Sequence, residues 1–380
     1  MRIAEKISRL KDKLNEFSTG LSKAQRPVFM SLILGLLANR FHGSISRLSR
    51  HPLVKASEDQ LNHFLSRGAV SELRLDDVIR RMIAAIRSKA RRKRAFLIID
   101  DTLAEKRGKK IDGVGWYYDH AKKVHVWGQK IVLGILVVGG IRLPIEALLQ
   151  RKEKEKATTL FKRIFDSVSS YWTGRLTVLA DAYYANYELL RHIDAARRKY
   201  IVQVRSNFVF EINGKRCKVS DYARGKRPRT KVTIGKKTYR VGEELVFRKG
   251  KPYRLVYSRN ERGNWRFYLT NDGVCDVAQI LLDYSVRWEI ETLIKEVKGN
   301  LGFAKCHLRK EESILKFWRM IFLAYLSLIW LKLSLRIKLT FGRMHEWLAH
   351  TIFILLATNH NLKLPMFTKP ASENDFFYGT

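Results

Sequence analysis

Two apolar runs and one amphipathic stretch organise the chain. The first run, Ala95-Phe96-Leu97-Ile98-Ile99, ends in Asp100-Asp101-Thr102. It is continuous, as expected for a strand buried on both faces of a sheet. The second, Leu176-Thr177-Val178-Leu179-Ala180, also ends in an aspartate, Asp181, and leads through Ala182 toward a helical pattern from Asn186. In the third stretch, residues 283–301, Val286, Ile290, Leu293, Ile294, Val297 and Leu301 form an apolar stripe. Beside it stand Tyr284, Arg287, Glu291 and Lys298, which at about 100° per residue project from one side of a single predicted helix.

The remaining pattern divides the chain into further blocks. Residues 1–94 read as helical: Pro27 opens an apolar helix over 28–40, Ser57-Glu58-Asp59-Gln60 is a capping box, and residues 73–87 are amphipathic. Arg40, Arg47, Arg50, Lys55 and Arg67 dot this block, which suggests a helical DNA-binding domain, with a helical cap or dimerisation module as the alternative. The basic run Arg87-Ser88-Lys89-Ala90-Arg91-Arg92-Lys93-Arg94 reads as a phosphate-contacting linker. A glycine-punctuated loop or hairpin follows at 106–125, then two antiparallel strands within 126–145. After these come a helix over 158–170, the strand ending at Asp181, a helix over 186–198 and a strand over 200–205. Residues 208–272 break the alternation with strand-like stretches at 231–234, 238–241, 244–248, 253–257 and 265–270, several of them separated by basic turns.

Charge narrows the chemistry. Lys and Arg number 73 against 36 Asp and Glu, a formal charge of +37, with a pI near 10.3. This is the electrostatic footprint of a nucleic-acid binder. Aromatic residues among the cations suit base stacking as well as core packing. Cys217, Cys275 and Cys306 lie far apart without zinc-ligand spacing, so neither a structural zinc nor a disulfide framework is expected, which fits a reducing cytoplasm. Residues 314–337 are the most membrane-like, but their longest uncharged run, 320–331, is too short to span a bilayer and predicts a buried helix. No lipidation motif, polybasic tail or secretory signal is visible, so no membrane partner is expected. Asp100, Asp181 and Glu291 are oxygen donors of the kind hard divalent cations prefer, and two such cations could clamp both sides of an in-line phosphoryl displacement. A carboxylate at a strand end can also cap the following helix.

The Tyr284-Arg287-Glu291-Lys298 signature, the Asp100-x-Thr102 strand end and the second strand-end Asp181 together resemble the DDE transposases of bacterial insertion sequences. The matching branch carries the Tyr-Arg-Glu-Lys signature and a β-rich insertion, and Trp288 after Arg287 also fits. The resemblance covers roughly residues 95–309. It implies an α/β fold: a ribonuclease-H-like catalytic core (95–207 and 273–310) with a β-rich insertion (208–272), preceded by the helical domain (1–94) and followed by a C-terminal helical region (311–380). It implies that Asp100, Asp181 and Glu291 hold one or two Mg2+ ions, with Mn2+ able to substitute. It also implies DNA cleavage at element ends, followed by attack of the freed 3′-OH on target DNA. Arg287, Lys298 and Tyr284 would contact phosphates, and Trp265, the sole tryptophan of the insertion, would stack on a displaced base unless it packs in the core. The partners implied are element-end and target DNA, with a homodimer bridging two ends, in a cytoplasmic, nucleoid-associated setting.

Rivals exist for two of the carboxylates. Asp101 competes with Asp100; strand alternation sends them to opposite faces, and the family's Asp-x-Thr pattern favours Asp100. Glu289 and Glu296 compete with Glu291 but lie about 160° and about 140° around an ideal helix from it. Two other functions fit the same residues: a nuclease of this fold that cuts without joining, and a non-catalytic DNA-binding derivative.

Overall fold

The computed structural model describes residues 3–38, 44–66, 70–89, 94–151 and 155–359. At its centre lies β1 (Ala95–Glu105), antiparallel to β3 (Val124–Val138) and parallel to β5 (Leu176–Ala180). β2 (Val114–Asp119) pairs with the first part of β3, and β4 (Ile141–Gln150) with the rest. β6 (Lys199–Val204) lies parallel to β5 on the other side. The core order is therefore β4-β3-β1-β5-β6, the ribonuclease-H-like arrangement expected from the sequence. Leu97, Ile98 and Ile99 are buried, as are all five residues of β5, so the continuous apolar runs do report strands covered on both faces. The glycine-punctuated segment before β3 forms β2 as well as a loop.

α6 (Ala157–Tyr171) carries the chain from β4 to β5 and buries Leu160, Phe161, Ile164 and Phe165. It approaches β3 at Gly134, where an added Cβ would lie 2.4 Å from Ile164 Cγ2. α7 (Tyr187–Ala195) is capped by Asn186, which accepts from the N–H groups of Glu188 and Leu189, and delivers the chain to β6.

Between β6 and the next core helix the sheet continues outward. β7 (Val209–Ile212), β8 (Lys215–Lys218), α8 (Val219–Arg224), β9 (Thr230–Ile234), β10 (Lys237–Arg248), β11 (Lys251–Asn260) and β12 (Trp265–Thr270) make up this segment. β12 pairs antiparallel with β6, so core and added strands form one twelve-stranded sheet. β7, β8 and α8 were not anticipated. The two short strands expected at 238–241 and 244–248 are one, β10.

The helices pack on this sheet. α1 (Ile3–Phe17), α2 (Gln25–Ala38), α3 (Ile45–Ser49), α4 (Glu58–Leu65) and α5 (Glu72–Lys89) precede it. The capping box of α4 forms, with Ser57 and Gln60 each bonding the other's backbone N–H. α9 (Val277–Ser285), α10 (Trp288–Asn300), α11 (Glu311–Ser334) and α12 (Phe341–Asn359) follow. α11 is long and apolar enough to cross a membrane, but it is buried inside the protein, against α2, α5 and β4. The N-terminal helices share one hydrophobic core with α11, α12 and the sheet.

The single helix expected over 283–301 is two. At Val286 and Arg287 the ladder tightens to bonds three residues apart: Val286 N–H donates to Asp283, Arg287 to Tyr284 and Glu289 to Val286. Tyr284 therefore ends α9 and Arg287 precedes α10, and the two no longer project from one continuous helical face. The expected basic linker also differs. Its residues 90–93 lie outside the described residues, Arg94 pairs with the buried Asp283, and the Arg87 guanidinium lies 4.1 Å from the centre of the Trp172 ring. Arg40 and Arg67 likewise lie outside the described residues.

Candidate active site

The first strand does not end at Asp100 as expected: β1 runs on to Glu105 beside β3, and Asp100 lies just past its last pairing with β5, where the end of β5 and the start of α10 meet it. On β1, alternation turns Asp100 and Thr102 toward α10, where Arg287 reaches the first and Lys298 the second. Asp101 faces the other way and pairs with Lys130 at 3.0 Å, the Lys130 ammonium standing 4.9 Å over the Tyr183 ring. Asp181 follows β5 and caps the short turn after it, accepting from Tyr183 N–H at 2.9 Å.

Electrostatics set this group apart. Burial and the neighbouring Asp181 push the Asp100 carboxyl up to about 7, against the opposing pull of Arg287. Asp181 is raised too, first by burial and then by Asp101, so Asp101 stays electrostatically close although it faces elsewhere. Arg287, 12% exposed, donates to Asp100 Oδ2 at 2.9 Å and to Glu291 Oε1 at 2.7 Å. Glu291 sits in the first turn of α10, where the helix dipole favours a carboxylate, and its side chain is 41% exposed.

The donor chemistry of Asp100 and Asp181 fits a hard divalent cation, since two close, partly desolvated carboxylates repel until a positive charge comes between them. The expected three-carboxylate cluster is not drawn together, however. Among the described residues no three His, Cys, Asp or Glu side chains are grouped closely enough to hold a metal. The reason is the Arg287 guanidinium, which lies between Asp100 and Glu291 and bonds both.

The rival glutamates are committed elsewhere. Arg142 of β4 pairs with Glu289 at 2.6 Å and with Glu296 at 2.8 Å, and the Tyr325 hydroxyl donates to Glu296. Lys298 donates to Thr102 Oγ1 and to the Leu103 carbonyl, each at 2.7 Å; burial lowers its ammonium pKa. It also lines a cavity of about 480 Å³ with Asp101, Thr102, Tyr118, His120 and Lys130.

The aromatic candidates separate. Tyr284 is buried, and its hydroxyl bonds the Ala180 carbonyl and Gln203 Oε1, each at 3.2 Å. This placement does not match the expected phosphate contact; it ties α9 to the residue before Asp181. Trp265 stacks on Phe267, its rings 9° from parallel, with Arg259 over its other neighbourhood at 5.5 Å. The β6–β12 register nevertheless leaves it just beyond the end of β6, on the same sheet edge as the aspartates. Trp288 is 54% exposed, with the Arg287 guanidinium 5.4 Å from its ring centre. Sequence reasoning missed Lys130, Gln203 and Tyr183. Only the β1–β3 register, with Leu103 opposite Lys130, brings Lys130 beside Asp101.

Sheet order, with two aspartates on adjacent parallel strands and a helix packed across them, defines a protein of the ribonuclease-H-like fold class. The family model described as "Transposase DDE domain" matches residues 91–327, more than half of the sequence, and the chain belongs to that family. Transposition is the function of the family, and binding of DNA and of divalent metal ions is typical of it. No curated protein matches the chain.

Proposed function

We propose that the protein is a catalytically active transposase of the Tyr-Arg-Glu-Lys branch that cleaves DNA at element ends and joins the freed 3′-OH to target DNA. The observation that carries this reading is the pair Asp100, midway along β1, and Asp181, just after the parallel neighbour β5, with Arg287 linking Asp100 to Glu291. Asp100, Asp181 and Glu291 would hold Mg2+, which when bound supplies the Lewis acidity that activates the attacking oxygen and stabilises charge developing on the phosphate. Arg287 offers a planar fork to a carboxylate or a phosphate with equal fit, so it can transfer from Glu291 or Asp100 to the scissile phosphate when DNA arrives. Lys298 fixes Thr102 and thereby the β1 strand end carrying Asp100. Tyr284 does the same for β5 through the Ala180 carbonyl. Trp288 gives an exposed ring for a base or sugar beside the cut. The exposed Arg47 and Lys55 of the N-terminal helical domain contact flanking DNA, and a homodimer brings two ends together in the cytoplasm.

The test uses labelled DNA carrying the element's own ends, incubated with protein and Mg2+ beside Glu291→Gln and Asp181→Asn. Cleavage and joining by the wild type alone support the proposal. Cleavage without joining identifies a nuclease. Binding without cleavage identifies a non-catalytic derivative. Equal activity in Glu291→Gln removes Glu291 from the site.

A further inference from the structure

Beyond the acidic edge, the far end of β1 opens into a second concave surface of about 730 Å³. Two loops line it: 105–111 after β1 and 304–309 after α10. They are laced together from below. Lys106 Nζ donates to the carbonyls of Ala304 and Cys306, Asp112 N–H donates to the Arg309 carbonyl, and Asp112 Oδ2 accepts from Glu311 N–H. The lacing uses Lys106, the Asp112 carboxylate and backbone groups and leaves the other cations outward. Arg107, Lys109, Lys110, Lys305, His307 and Arg309 are all exposed, and among the described residues no carboxylate pairs with any of them. Glu105, the one acid in the lining, is held by Lys122.

We propose that this pocket grips the phosphodiester backbone of duplex DNA on one flank of the scissile phosphate. The inference rests on the transposase reading above and deepens it by assigning a contact that the signature residues do not supply. Three features select this occupant. The cavity is too large and its cations too spread for a single phosphate. Ile111 is the only sizeable apolar side chain in the lining and His307 its only ring, so it offers no row of aromatic faces on which successive bases could stack. The path from the acidic edge is continuous, from Asp100 to Lys298 at Thr102 and Leu103 and then to Lys106. Six residues of strand at about 3.3 Å each make this path about 20 Å, or about six duplex steps at roughly 3.4 Å per step. The contacts would be to backbone and would carry no sequence preference.

The test is a salt series of binding to a 40-base-pair duplex of arbitrary sequence. It compares the wild type, the triple variant Lys109→Gln, Lys110→Gln, Arg309→Gln, and a control of equal charge loss at exposed lysines outside the N-terminal domain and the pocket, Lys215→Gln, Lys236→Gln, Lys338→Gln. At roughly 0.9 per phosphate contact, the pocket variant should lower the slope of log K against log salt by about 3, and weaken binding at least about tenfold in 0.1 M salt. The control should change little. A pocket variant indistinguishable from the control overturns the proposal and leaves the transposase reading intact. Failure of the wild type to bind duplex DNA at all overturns both. Loss confined to an RNA duplex of the same length overturns the assignment to DNA.

Discussion

Arg319 gives the sharpest quantitative test of how the helices are held on the sheet. It lies on α11, is 5% exposed, and faces three carboxylates from two other elements. Asp76 takes it by two nitrogens at 2.6 and 3.2 Å, Glu72 lies at 3.0 Å, and Glu146 of β4 at 3.7 Å. Burial works against its charge, but Asp76, Glu72 and Glu146 outweigh that and raise the guanidinium pKa. Arg319→Met removes the cation that pairs with all three acids and leaves them in a partly desolvated site with only the more weakly acting Lys316 near Glu72 and Arg163 near Glu146. Stranding buried charge in this way costs about 3–5 kcal/mol. The unfolding entropy of about 2.1 cal/mol/K per residue gives roughly 0.8 kcal/mol/K for a chain of 380 residues unfolding as one unit, so the midpoint should fall by roughly 4–6 °C.

The pH dependence separates charge from packing. Glu72 and Glu146 are both raised above their ordinary values, chiefly by burial, while Arg319 lowers them. A raised carboxyl means that the folded state binds the proton more tightly than the unfolded chain. Stability therefore increases as pH falls through the folded pKa and is lost again above it. Without Arg319 both groups rise further, so the Arg319→Met deficit should be largest near pH 8 and shrink toward about pH 5. Calorimetric melts at the two pH values measure this, with Arg319→Lys expected in between because it keeps the charge and loses the fork. A deficit of equal size at both pH values would refute the electrostatic account and assign the loss to packing.

Three further outcomes follow from single side chains. Tyr284→Phe should cost about 1 kcal/mol in denaturant unfolding by removing the bonds to Ala180 and Gln203, and should slow cleavage while leaving duplex affinity unchanged; a lowered affinity would restore the phosphate-contact role. Trp288→Ala should leave the melting midpoint in place and weaken single-strand or end-DNA binding by about 1–3 kcal/mol, whereas Trp265→Ala should lower the midpoint; the reverse pattern would exchange their roles. Ser57→Ala removes one arm of the α4 capping box and should cost about 1 kcal/mol by the same unfolding assay, and no loss would mean that α4 is held by packing alone.

The site was legible in the sequence wherever burial forces a pattern on the chain. β1 and β5 are covered on both faces, so their apolar runs are uninterrupted and the aspartates that end them stand out. Glu291 stood out because α10 packs one stripe and leaves its flank free. The break at Val286 and Arg287 left no trace, since neither residue is a glycine or proline and both keep right-handed helical backbone angles. Tyr284 was misplaced as a consequence: on an unbroken helix it shares the flank with Arg287, whereas the tightened turn directs it under β5. Gly242 lies between the two stretches expected as separate strands but is inside the single strand β10, where a Cβ would lie 2.7 Å from the Tyr257 ring. Contacts such as Lys130 with Asp101 depend on register between strands, which local pattern does not encode.

The net charge of +37 also takes a different meaning once its partners are known. Arg94, Arg142, Arg287 and Arg319 each hold one or more partly buried carboxylates and act as internal ties, so a count of cations overstates what is offered to DNA. The exposed cations of the 105–111 and 304–309 loops have no such partners among the described residues. Their charge has no carboxylate partner among the described residues and lies beside β1, which also carries the candidate site residue Asp100 and its neighbour Thr102. A polyanion drawn to these loops is thereby laid along the strand that carries the acidic edge. On the function proposed above, Arg287 would then have a phosphate to exchange for a carboxylate, and its bridge between Asp100 and Glu291 would open when DNA is in place. On this argument, binding and assembly of the acidic site are one coupled step.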